Sequence, residues 1–136
     1  MKVHHYQHRV QYHETDQMGI VHHSNYIKWL EEARNEYLRE QGISCRQLEE
    51  LGILLPVIEV NCSYKQRTYY DDVVTIKVFI KELSRVTITF GYEIKKDGEL
   101  LLLASTKQSF VNEDFKPFSL ERERADVWAT LFGDLR

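Results

Sequence analysis

Proline is scarce in this chain, with two in 136 residues, at Pro56 and Pro117. Long stretches are therefore free to form regular structure. Cysteine is equally scarce. Cys45 and Cys62 have neither metal-ligand spacing nor enough partners for a disulfide framework, so both are expected reduced, as in the cytoplasm. No run approaches 18 apolar residues, so no membrane-spanning helix is expected. The opening MKVHHYQHRV has no apolar core of the secretory kind. Basic excess is missing too. A net charge of -3 argues against a general nucleic-acid binder. Internal repeats and low-complexity tracts are absent.

What is present is ordinary globular material, 43% hydrophobic and 29% charged. The length suits one domain over residues 1–136, with an extension from about 113 to 136. Such a domain buries about two-thirds of its unfolded surface.

The organising stretch is Tyr12 to Gly42. Tyr26, Trp29, Leu30, Ala33 and Tyr37 recur at three- and four-residue spacing, which predicts a helix over 25–41. Ser24 or Asn25 caps its start, and Gly42 suits the left-handed position after its end. The helix spans about 25 Å, enough to cross a small sheet. Its N-terminus offers unpaired N–H groups and the positive end of a dipole, a place to polarise a carbonyl. Asp16 lies just upstream, with Gly19 allowing the backbone to turn between them. A carboxylate facing a polarised carbonyl can act as nucleophile or as general base on water. On spacing alone, an Asp before a helix is more often a turn or capping residue.

Asp16-Gln17-Met18-Gly19-Ile20-Val21-His22-His23-Ser24-Asn25-Tyr26, followed by Trp29, Glu32 and Arg34, resembles the signature of the 4-hydroxybenzoyl-CoA thioesterase-like family. His23 brings it nearer the YbgC-type acyl-CoA thioesterases. The similarity extends over about residues 3 to 112. Ser24 stands where many relatives have Pro or Ala, and Met18 where a small residue is common. The resemblance implies a hot-dog fold of the α+β class, an antiparallel sheet of about five strands wrapped round one long central helix. It implies hydrolysis of acyl-CoA to a carboxylate and CoA. Asp16, Gly19 and His23 are the implied catalytic group. Val21, His22 and Tyr26 are the implied substrate contacts, with Arg85, Arg67 and Lys65 available for the phosphates of CoA. Met18, Tyr26 and Trp29 are candidates to line the acyl pocket. No cofactor beyond the CoA of the substrate is implied, and no metal. A homodimer is implied, or a tetramer built as a dimer of dimers. The alternatives are a non-catalytic acyl-CoA or acyl-carrier binding dimer and a hot-dog hydratase or dehydratase. The latter would need Glu32 or Glu36 as its acid, with no His on the central helix.

The remaining segments read locally. Residues 3–12 alternate as a half-buried strand, with Tyr6, His8, Val10 and Tyr12 on one face; His4, His5 and His8 are expected to be solvated. Ser44 and Gln47 make a capping box for a short helix ending at Gly52. Strands follow from Ile58, with Pro56 marking an edge position or a late strand start, and run on as a meander. Asp97-Gly98 marks a hairpin. Leu100–Leu103 is apolar on both faces, as in a central strand covered by the helix on one side and a second subunit on the other. Residues 120–132 predict one terminal helix, with Trp128 used for packing.

Overall fold

The computed structural model describes residues 2–133. Strand β1 is Val3–Arg9, and a short 3-10 turn covers Tyr12–Glu14. Helix α1 is His23–Gln41 and α2 is Cys45–Glu50. Strands β2 (Val57–Tyr64), β3 (Val73–Leu83), β4 (Thr87–Lys96) and β5 (Glu99–Ser109) follow. Helices α3 (Leu120–Glu123) and α4 (Ala125–Phe132) end the described chain.

The stripe on α1 is buried throughout, with Trp29, Leu30, Ala33 and Tyr37 wholly inaccessible. The helix begins two residues earlier than its stripe implies. His22 is the cap, because its Nδ1 accepts the Ser24 N–H at 3.3 Å as a hydroxyl would. His23 therefore stands on the central helix as its first residue, contrary to the expectation of a helix without histidine. Gly42 closes the other end at φ 114, in the left-handed region. Both halves of the Ser44–Gln47 capping box are made.

The strands form one antiparallel sheet in the order β1-β3-β4-β5-β2. Only β3, β4 and β5 are a meander. Helices α1 and α2 carry the chain across, so β2 emerges on the far edge beside β5 rather than next to β3. Pro56, which has no N–H to give a ladder, stands just before that edge strand. A register shift between Val57 and Glu59 puts Val57, Val60, Cys62 and Tyr64 on one face, opposite Gln108, Thr106, Ala104 and Leu102. Asp97 and Gly98, at φ 49 and 81, make the β4–β5 hairpin.

The face toward α1 carries Val74, Ile76 and Val78, then Ile88, Phe90, Tyr92 and Ile94, all buried with the helix stripe in one core. Helix α1 packs on β1 and β3, so the β2 end of the sheet has less cover. This is the hot-dog arrangement, five antiparallel strands with a long helix laid across one face.

Two further local expectations fail. Strand β1 stops at Arg9, and Tyr12 is 77% exposed, because the chain turns away at Gln11 to enter the 3-10 turn. The terminal helix is broken at Arg124, whose φ -135 and ψ 63 are not helical. Beyond the break, Trp128 packs edge-on against Phe110 and Phe132.

Candidate active site

Asp16 opens a tight turn. Its Oδ1 accepts the Met18 N–H at 2.8 Å, and its carbonyl accepts the Gly19 N–H at 3.0 Å. Gly19 sits at φ 80 with open space where a Cβ would be, so the backbone conformation is what calls for glycine here. Thr15 bridges Val21 across the loop, and the Asp16 N–H donates to the Ile20 carbonyl at 2.9 Å. The loop thus returns on itself and delivers the chain to the start of α1. Asp16 itself is half-buried.

The helix start is held by a residue that periodicity does not single out. Glu14 is buried, and both of its carboxylate oxygens are occupied. Oε1 accepts the Gln11 N–H at 2.7 Å and lies 2.8 Å from His8 Nε2; Oε2 accepts the Trp29 Nε1–H at 2.6 Å. The Glu14 carbonyl accepts the His22 N–H at 2.9 Å and the Asn25 Nδ2–H at 2.8 Å. His8 is therefore not solvated; its ring also lies 4.6 Å from that of Trp29. His4 likewise has a partner, pairing with Glu40.

Burial alone would raise the Glu14 pKa. The hydrogen bonds from Gln11, His8 and Trp29 outweigh it, and the carboxyl lies below the usual glutamate value. A depressed folded pKa stabilises the fold above the unfolded value and ceases to do so as pH falls through the folded one. The stability difference between wild type and Glu14→Gln is expected to be largest near neutrality and to shrink below about pH 4. Thermal melts of both proteins across that range check this; a constant gap would refute it.

The other expected site residues divide into groups. His22 and His23 are exposed and stacked, with ring centroids 4.3 Å apart. His23 N–H stands in the first helical turn, where no helical carbonyl precedes it. Val21 is buried, and its N–H is taken by the Thr68 carbonyl at 2.8 Å. Tyr26 is buried edge-on to Trp29 and Tyr64, its hydroxyl donating to Thr68 Oγ1 at 3.0 Å. Trp29 belongs to the core, while Met18 is 76% exposed, so the two do not line one pocket within this chain.

Lys65 and Arg67 follow β2 and line an open cleft of about 560 Å³ with Tyr64, Tyr69, Lys96 and Leu101. The cleft adjoins the Asp16 loop, since Ile20 bridges Tyr69. Arg85 does not join them. It lies in the β3–β4 turn, beyond the Leu83–Ile88 pair, at the opposite end of the sheet from the Thr75–Lys95 pair. The ten residues of β4 separate those ends by roughly 30 Å.

A hot-dog core with a carboxylate loop closed onto the start of its helix places this protein in a definite class. The chain belongs to the thioesterase superfamily, whose sequence profile matches residues 18–103, and it is a thioester hydrolase. It is similar in structure to the DHNA-CoA thioesterase from Staphylococcus aureus, with a TM-score of 0.92 and 34% identity, covering 99% of this chain and 91% of that one. A protein of Aquifex aeolicus (strain VF5), described as a candidate esterase, is 39% identical over 122 residues, covering 90% of this chain and 94% of its own. The 4-hydroxybenzoyl-CoA thioesterase of Pseudomonas sp. (strain CBS-3) is 31% identical over 116 residues, covering 79% and 82%.

Proposed function

We propose that this protein hydrolyses acyl-CoA thioesters to a free carboxylate and CoA, at a site built on Asp16 and the first turn of α1. The observation that carries the reading is the Asp16–Val21 loop, closed on itself and fastened to the helix start through Glu14. The names of two relatives, each a CoA thioesterase, support CoA as the carrier.

The thioester oxygen lies at the helix N-terminus and receives the His23 N–H, which stabilises the charge that develops there. Gly19 keeps the approach free of a side chain. Asp16 then acts in one of two ways. As nucleophile, its oxygen bonds the carbonyl carbon, the C–S bond breaks, CoA departs as thiolate, and water cleaves the resulting anhydride. As base, it takes a proton from water while that water attacks. The His22 and His23 side chains orient the thioester, and Val21 and Tyr26 shape the wall behind it. Lys65 and Arg67 receive phosphates of CoA in the adjoining cleft. The reaction proceeds in the cytoplasm and uses no cofactor besides the CoA of its substrate. Thiol release from a panel of short, long and aromatic acyl-CoAs tests the reading. Turnover of at least one member is expected, and release from none overturns it.

The working unit is a homodimer formed through β2. This edge strand leaves Val57, Val60 and Tyr64 bare on the helix side of the sheet, at 44%, 40% and 49% exposure. Pairing with a second β2 about a two-fold axis covers them and extends the sheet. Antiparallel pairing also reverses the ends, bringing Arg85 of the partner subunit to the side where Asp16 lies. Sedimentation is expected to give a dimer, and Val60→Asp to shift it toward monomer with loss of turnover. A monomeric wild type with full activity would exclude this arrangement.

A further inference from the structure

We infer that Glu14 is a positioning residue for the reaction: its buried carboxylate fixes the backbone that sets the Asp16 loop against the start of α1. The inference rests on the site proposed above and concerns a residue that the chemistry does not touch.

Five hydrogen-bond partners converge on Glu14. Its side chain meets β1 through His8, the 3-10 turn through the Gln11 N–H, and α1 through Trp29. Its carbonyl meets the N–H of the helix cap, His22, and the amide of Asn25 one turn further on. The side chain is thus tied to the core while the main chain of the same residue holds the helix start, two positions before Asp16. Burying a carboxylate is costly and does not by itself favour the fold, since well-packed apolar groups often do as well. What an acid provides here is acceptor capacity in several directions. Gln11 N–H and Trp29 Nε1–H approach different oxygens. A glutamine has one acceptor oxygen, so its amide N–H₂ would oppose one of these donors. The backbone at residue 14 would then shift, and the Asp16 loop with it. A displacement near 1 Å at a reacting group is enough to cost on the order of a hundredfold in rate.

Two variants and two readouts test this. Glu14→Gln keeps the shape and removes the charge. Trp29→Phe keeps an aromatic ring and most of the packing while removing the donor to Oε2. Turnover of acyl-CoA is measured beside amide hydrogen exchange at His22, with β4 amides reporting the global fold. The expected result in Glu14→Gln is a fall in kcat of about tenfold or more with KM within about twofold. Exchange at His22 is expected to rise by about tenfold, the loss of roughly one hydrogen bond, and by more than the β4 amides, whose rise reports the global loss of stability. Trp29→Phe is expected to move both in the same direction by less. Unchanged exchange at His22, an equal rise at every amide, or unaltered kcat in a folded variant would each overturn the inference. If the wild type releases no thiol, the acyl-CoA reading fails, and the exchange measurement still decides whether Glu14 sets the helix start.

Discussion

Asp16→Asn is expected to lower kcat by about a hundredfold or more while leaving the fold and substrate binding in place. The substitution is clean because of how the side chain is held. Asp16 Oδ1 accepts the Met18 N–H, and an asparagine oxygen can accept the same bond. The turn, the left-handed Gly19 and the bridge from Thr15 to Val21 all survive. What disappears is the negative charge, and with it the proposed nucleophile or base. A melt superimposable on the wild type, together with near-complete loss of thiol release, is the expected pair of results. Equal activity of the two proteins would mean that the reacting carboxylate lies elsewhere.

Trp29→Ala carries the largest expected effect on stability, about 4–5 kcal/mol. The indole is wholly buried, lies against His8 and Tyr26, and donates to Glu14 at 2.6 Å. Removing it opens a cavity and also strips the buried carboxylate of a donor. Against a total stability of about 5–15 kcal/mol, that is a large share. Thermal denaturation should show Tm falling by on the order of 10 °C or more. Trp29→Phe retains most of the packing and should lose a smaller part. A Trp29→Ala protein melting within a few degrees of wild type would show that neighbouring side chains close the gap.

The features legible in the sequence were those set by neighbours in the chain. The α1 stripe, Gly42, the Ser44–Gln47 box and the Asp97-Gly98 hairpin each follow from residues a few positions apart, and each is where local chemistry puts it. Pro56 marked the edge strand by the donor it lacks. The features that escaped depend on residues brought together by the fold. Glu14 meets His8, Trp29 and Asn25 from three elements, and no spacing along the chain announces that a carboxylate between His13 and Thr15 is buried. The crossing of β2 to the far edge is a matter of topology, which alternation within a strand does not encode. The cap at His22 was missed because imidazole is an uncommon acceptor for a helix start. Arg124 breaks a helix with no Pro or Gly in its run before Gly133, so nothing in the local sequence marks the break.

The distance between Arg85 and the Asp16 loop has a genetic consequence. Under the proposed pairing, each subunit carries the acid for its own site and the arginine for its neighbour's. A defect at Arg85 would then impair the reaction of a partner whose own sequence is intact. Two defective alleles, one altered at Asp16 and the other at Arg85, would assemble mixed dimers in which one site regains both groups. Under that pairing, selection on those two positions would act on the pair of chains rather than on either chain alone.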